Sequence, residues 1–329
     1  MTPFSLSSAP TDSLPGFRRV FPGGRLTLGL ALPLDSGSAE EPDVNIAHQI
    51  ALVQRVEAAG FAAVWLRDIP LRDPDFGDVG QTWDPISYLG YLAASTSVLA
   101  LGTAAIVVPV RHPLHLAKQS ASIDHLSGGR FLFGVATGDR SSEYPAFGVQ
   151  EGQRDEVFRE HLGVMQQAWT TQHRGIRWSG GRMWGGDVVP KPLAVRPPLL
   201  TVGSCLQSMA WHREHADAHV TYQRALPMQK KYLENWRAAG NDKPFAMSMS
   251  LDLHADVEAP AGPIKFGWRV GARYLVEILR ELEVMGVDHV ILGLTRGTRP
   301  ADEVLDDLIH HVIPEFGVEK ARSTDHRCR

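Results

Sequence analysis

Leu99-Ala100-Leu101-Gly102-Thr103-Ala104-Ala105-Ile106-Val107-Val108 is an apolar run, and Pro113-Leu114-His115-Leu116-Ala117-Lys118-Gln119-Ser120-Ala121-Ser122-Ile123-Asp124-His125-Leu126 is an amphipathic stretch opened by proline; Ser127-Gly128-Gly129 then turns the chain into a second apolar run, Arg130 to Ala136. An unbroken apolar run is how a strand buried on both faces reads, and a proline-initiated stretch of this length reads as a helix. Strand, helix and strand in that order predict a βαβ unit with parallel strands.

The same rhythm extends both ways. Upstream, strands are expected at Leu26–Leu32 and Phe61–Leu66, with helices at Val44–Ala59, stopping at Gly60, and at Trp83–Thr96, where Asp84 precedes Pro85 as a cap. Downstream, helices are expected at Gln153–Trp169, Leu206–His215, Met228–Ala239, Val270–Met285 and Ala301–Ile313. The intervening strands are Leu199–Gly203, His219–Tyr222, Phe245–Leu253 and His289–Leu294. About eight such units predict an α/β fold, a closed (β/α)8 TIM barrel with insertions. A doubly wound open sheet is the rival, weakened because no G-x-G-x-x-G opens a helix after the first strand. The rhythm breaks at residues 173–197, a Gly-, Trp- and Pro-rich stretch that predicts an inserted hairpin, and again at residues 254–266. One domain is therefore expected over residues 26–317, between an N-terminal extension, 1–25, and a polar tail, 318–329.

The 329 residues are 43% hydrophobic and 21% charged, which suits a large soluble core. Lys plus Arg number 33 against 37 Asp plus Glu, with no basic stripe, so neither nucleic acid nor an anionic membrane is an expected partner, and a small molecule is. Cys205 and Cys328 lie too far apart in kind and place to suggest a disulfide framework, no stretch has a signal peptide's layout, and no apolar run approaches the ~20 residues of a membrane span. A cytoplasmic location is expected.

Barrel active sites form where strands end, which selects the candidates. Asp68 reads equally as a general base or partner to a ring N–H and as a carboxylate capping a turn. His112 titrates near neutrality and can move a proton, yet a lone histidine ahead of Pro113 also reads as structural. Ser204, in Gly203-Ser204-Cys205-Leu206-Gln207-Ser208, is placed either to grip a phosphate or simply to cap a helix. Tyr222, Arg224 and the run Thr137-Gly138-Asp139-Arg140 stand at other strand ends. His212, His215 and His219 have metal-like spacing, but a strand starting near Ala218 would draw His219 away and no cysteine or carboxylate cluster accompanies them, so no metal is expected. Trp178 and Trp184 could close over an apolar substrate or serve a dimer contact.

The stretch Leu101 to Pro113 closely resembles the third strand of bacterial luciferase-like flavin-dependent monooxygenases. Ala58-Ala59-Gly60-Phe61 through Trp65, Leu126 to Phe131, Phe133-Gly134-Val135, Ala146-Phe147-Gly148 with Arg154 and Phe158, Gly203-Ser204, and Gly286-Val287-Asp288-His289-Val290 extend the likeness from about Leu26 to Phe316. The resemblance implies a barrel holding reduced FMN, or in some relatives a deazaflavin, with the ring on a bulge containing a non-prolyl cis peptide between Ala104 and Ala105, next to Thr103. It implies that Thr137, Gly138, Asp139 and Arg140 with Gly203, Ser204, Gln207 and Ser208 surround the phosphate, that Tyr222 and Arg224 flank ring or phosphate, and that Asp68 is the acidic residue near the flavin. Light emission is not implied: Ile69 replaces the luciferases' histidine and Ala136 their reactive cysteine.

The expected function is thus a two-component monooxygenase using O2 and reduced FMN from a separate flavin reductase on a small organic substrate, as a homodimer by analogy. A deazaflavin-dependent dehydrogenase or reductase, a non-catalytic flavin carrier and a metal-dependent hydrolase on the same barrel are the alternatives.

Overall fold

The computed structural model describes residues 7, 9–34, 45–73 and 83–319. Parts of the expected extension, the start of the helix at Val44, Cys328 and nearly all of the polar tail lie outside them. Among the described residues the strands are β1 (Thr27–Ala31), β2 (Ala63–Leu66), β3 (Ala100–Thr103), β4 (Ile106–Val107), β5 (Phe131–Ala136), β6 (Ile176–Trp178), β7 (Gly181–Met183), β8 (Leu199–Val202), β9 (Ala218–Tyr222), β10 (Phe245–Leu253), β11 (Gly262–Ile264), β12 (Gly267–Val270) and β13 (His289–Gly293). Parallel pairing runs from β1 to β2, β3, β5, β8, β9, β10 and β13, and β13 returns to β1 with Thr27 opposite His289, so the sheet closes into the (β/α)8 barrel. The apolar runs are strands because both faces are covered: every residue of β2 and β3 is buried.

The helices between strands follow their caps. Asp84 accepts from the Ile86 and Ser87 amides at the head of Pro85–Ser95, and Gly60 ends Ile46–Ala59 in left-handed conformation. Ahead of β1, the helix Pro15–Val20 seals the barrel floor: Phe17, Val20 and Phe21 pack with Trp65, Leu132 and Ile291 from the barrel interior.

Inside the floor runs a fully buried polar chain. The Trp65 indole N–H donates to His289 Nε2 at 3.0 Å, which leaves the proton on Nδ1; that nitrogen lies 2.6 Å from Thr27 Oγ1, whose hydroxyl donates to the Val20 carbonyl at 2.6 Å. His289 is therefore neutral, and burial lowers its pKa to about 3. A second neutral histidine, His219 on β9, stacks on Trp236 at 4.6 Å, and burial first, then the nearby His212 and Arg224, lower its pKa also to about 3.

Several expected boundaries move. The expected strand Leu99–Val108 is two pieces, β3 and β4, broken at Ala104-Ala105, and Val108–Val110 forms a single 3-10 turn. The helix expected from Leu206 starts at Met209, because Cys205 and Leu206 take φ values of 46° and 54°, outside helical space. The helix expected from Val270 starts at Ala272, since Gly267–Val270 joins β10 as a strand. The expected hairpin at residues 173–197 is present as β6 and β7, paired antiparallel. The irregular stretch 254–266 contains β11, which pairs with β12 as a second hairpin.

Candidate active site

The break in the third strand makes the site. Up to Gly102 the strand pairs with β2 and β5; the Ala104–Ala105 peptide is cis, and pairing with β5 resumes at Ile106 opposite Val135. Thr103 is buried and its hydroxyl donates to the Gly134 carbonyl at 2.8 Å, so it ties the bulge to β5 and does not line the cleft. Gly134 is required by that approach, because a Cβ there would lie 1.8 Å from the Thr103 carbonyl oxygen.

Asp68 holds the bulge from the other side. Its amide donates to the Ala105 carbonyl at 3.2 Å, and its carboxylate accepts from the Val107 amide at 3.1 Å. Both oxygens also take Arg111, Nε at 2.7 Å and Nη2 at 2.6 Å, a forked pair around a carboxylate with no exposed side-chain surface. Arg111 reaches on to Asp84 at 2.9 Å, so the carboxylate that caps one helix also anchors the guanidinium. Burial works against the Arg111 charge, but the hydrogen bonds and charges of Asp68 and then Asp84 outweigh it and raise its pKa. Asp68 is thus engaged as a clamp on the bulge. Its three hydrogen bonds give Asp68 a positioning role, and it also lines the cleft beside the bulge, where the catalytic role was expected of it.

Above the bulge lies a cleft at the C-terminal ends of the strands. Ala104, Ala105 and Ala136 give it a floor of methyl groups, with Asp68 and Ile69 beside them; Thr137, Gly138, Asp139 and Arg140 form one wall, Gly203 and Ser204 another, and Tyr222 the rim. Arg67, Val107, Val202 and Cys205 also line it and were not foreseen as site residues. Arg140 is buried, with Glu143 beside it at 3.9 Å; burial pushes the Glu143 carboxyl up to about 7, against the pull of Arg140. Burial likewise pushes the Cys205 thiol up to about 12, which makes it an inert packing group.

Four other expected site residues lie elsewhere. His112 caps the helix Pro113–Leu126, its Nδ1 accepting the Leu114 amide at 3.3 Å, and its ring meets Trp178 edge-on at 5.6 Å; it borders a neighbouring hollow with Trp83, His115 and Phe147, outside the cleft lining. Gln207 is occupied by the Cys205 carbonyl and by Arg159, and Ser208 caps Met209–His215 by accepting the Trp211 amide. Arg224 lies over the Tyr232 ring at 4.1 Å and donates to the Thr221 hydroxyl and Tyr222 carbonyl, both at 3.2 Å. Trp178 and the hairpin bearing it lie along the helical wall, where Glu160 accepts from the Ser179 amide and hydroxyl. The second hairpin is the one that reaches the cleft: Phe266, at its tip, stacks on Tyr222 at 4.8 Å. Among the described residues no group of three or more His, Cys, Asp or Glu could hold a metal ion, and no helix is long and apolar enough to cross a membrane.

Comparison with known proteins adds a family to this geometry. The family model for luciferase-like monooxygenases matches residues 26–259. An uncharacterised protein of Mycobacterium tuberculosis is 32% identical over 214 residues, 58% of this chain and 74% of its own. The pyrimidine monooxygenase RutA of Acinetobacter baylyi is 27% identical over 227 residues, 64% of this chain and 60% of its own. The crystal structure of the monooxygenase RslO1 from Streptomyces bottropensis superposes with a TM-score of 0.67 at 19% identity, covering 88% of this chain and 100% of its own.

Proposed function

Because the chain belongs to the luciferase-like monooxygenase family and is an enzyme of that family, we propose that it is a two-component monooxygenase, using reduced FMN from a separate flavin reductase and O2 to oxygenate a small organic molecule. The observation that carries this reading is the cleft itself: a floor of three alanine methyls at a bulge, ending in a polar wall with a buried arginine. Its parts fit the cofactor's. A planar ring needs side chains no larger than methyl beneath it, and a phosphate needs cationic and hydroxyl donors, which Arg140, Thr137 and Ser204 supply.

Bound reduced FMN supplies the two electrons that activate O2, one oxygen atom passing to the substrate and the other to water. The chain's own residues do the rest. Ala104 and Ala105 seat the ring, with Asp68 and Arg111 holding the bulge that carries them. Arg140, Thr137, Gly138, Asp139, Gly203 and Ser204 surround the phosphate. Tyr222 and Phe266 narrow the mouth, so that a substrate entering over the ring displaces water from it.

The test uses purified protein, chemically reduced FMN, labelled O2 and a panel of small organic compounds. A product carrying one labelled oxygen atom, formed only when the protein is present, is the expected result. Hydride exchange with a deazaflavin and no oxygen incorporation would replace this reading with a dehydrogenase or reductase. Tight FMN binding with no turnover across the panel would replace it with a carrier.

A further inference from the structure

The turn that carries Ser204 is held only in part by its own residues: the Ser204 hydroxyl accepts the Leu206 amide at 3.2 Å, which leaves its own proton to donate, and Gln207 Nε2 donates to the Cys205 carbonyl at 3.1 Å. Gly203, Cys205 and Leu206 have φ values of 69°, 46° and 54°, and two of these are side-chain-bearing residues in left-handed conformation, where an L-residue is disfavoured by about 1 kcal/mol or more. Such a turn persists only if its surroundings hold it.

The holding atom is the Ser204 carbonyl oxygen. It accepts the Gln207 amide at 2.8 Å and stands 3.0 Å from His212 Nε2. A carbonyl only accepts, so Nε2 carries the proton and Nδ1 is left as a bare lone pair. That Nδ1 is buried and has no hydrogen-bond partner, which is unusual for a polar atom unless the other nitrogen's bond is what the residue is kept for. The ring is packed in place: His212 is 3% exposed, sits 4.8 Å from the His219 ring and 5.8 Å from Trp211, both centroid to centroid. Burial lowers the His212 pKa against the Ser204 and Gln207 backbone, which raise it, and so favours the neutral ring. With its carbonyl drawn inward on two donors, Ser204 presents its other side to the cleft.

We propose that His212 is a positioning residue for anion binding: by donating from Nε2 to the Ser204 carbonyl it locks the Gly203–Ser208 turn in the one shape that offers Ser204 to a phosphate monoester. The proposal rests on the reading of this cleft as an FMN site. It makes a specific claim within that reading, because the turn bears on the phosphate and the bulge bears on the ring. His212 therefore governs the preference for FMN over riboflavin, which has the same ring and no phosphate.

The experiment measures the dissociation constants of FMN and riboflavin, by flavin fluorescence and calorimetry, for the wild type, His212→Phe and His212→Gln. Phe fills the ring's space without a donor, and Gln keeps an N–H of similar reach; His212→Met, flexible and apolar, replaces Phe if that variant does not fold. The wild type is expected to prefer FMN. The Phe or Met variant is expected to lose on the order of tenfold in FMN affinity, as for one lost hydrogen bond to a polar group, with riboflavin affinity unchanged, and Gln is expected to restore most of the preference. A Phe or Met variant that keeps the wild-type ratio, one that loses both ligands equally, or a Gln variant as impaired as Phe overturns the proposal. A wild type with no preference for FMN overturns the phosphate site itself, which distinguishes the two failures.

Discussion

Replacing Asp68 by alanine is expected to lower the unfolding free energy by about 3–5 kcal/mol, the range seen when one partner of a buried ion pair is removed. The geometry puts the loss in two places. Arg111, largely buried, would keep only Asp84, which is itself 41% exposed along its side chain. The Val107 amide, whose acceptor is Asp68, would be left buried without one, a further cost of about 1–3 kcal/mol contained in that total. Urea unfolding followed by circular dichroism measures the change. Arg111→Met alone should also destabilise, but the double variant should be more stable than the sum of the two, because the second substitution removes a charge the first has stranded. A loss below about 1 kcal/mol for Asp68→Ala, or strict additivity in the double variant, would show that the pair does not hold the bulge.

Two buried histidines should pull stability down as the pH falls from neutrality, while two buried carboxyls, Glu143 raised to about 7 and Asp124 raised to about 6, pull it up over the same range. His289 and His219 titrate near 3 in the folded state because they are buried, against about 6.5 in the unfolded chain. Their folded pKa values are depressed, so below pH 6.5 the unfolded state takes up protons that the folded state refuses. Their contribution to stability is full above about 6.5 and falls as the pH drops from there toward 3, by up to about 1.4 kcal/mol per pH unit for each histidine. Between pH 7.5 and pH 5 each histidine should contribute a loss of about 2 kcal/mol, which the two carboxyls offset in the wild type, so the loss is read as a difference between proteins. Urea unfolding at pH 7.5 and pH 5 checks this: His289→Gln, which offers the Trp65 N–H an uncharged acceptor, should gain about 2 kcal/mol relative to the wild type on going from pH 7.5 to pH 5. The same pH dependence in the two proteins would mean that the His289 ring is protonated in the folded state without leaving its hydrogen bonds.

The barrel is legible in the sequence because parallel strands buried on both faces write themselves as apolar runs, and because Asp84, Gly60 and the prolines at residues 85 and 113 mark helix ends chemically. What escapes is anything decided across distance. Asp68 and Arg111 stand 43 positions apart, so nothing local says that the carboxylate is paired with a guanidinium. Cys205 and Leu206 carry no glycine signal for their left-handed backbone, and the helix was accordingly expected three residues too early. Phe266 reaches Tyr222 only because β12 lies beside β10, a pairing that a stretch as short as Gly267–Val270 does not announce. The bulge at Ala104-Ala105 was legible through family likeness alone, since two alanines in an apolar run have no periodicity that betrays a break. His112 shows the opposite case: its place before Pro113 also read as structural, and its Nδ1 caps the helix by accepting the Leu114 amide.

The central claim, that the methyl floor at the bulge seats a flavin ring, is tested most directly by titrating wild type and Ala105→Leu with reduced FMN, oxidised FMN and a deazaflavin. The wild type is expected to bind one reduced FMN per chain, in preference to the deazaflavin. For the leucine variant it predicts affinity weaker on the order of a hundredfold with near-normal unfolding, because three added carbons occupy the ring's place at a half-exposed site and not in a packed core. Equal affinity of the two proteins for reduced FMN, or no flavin bound by either, would contradict it.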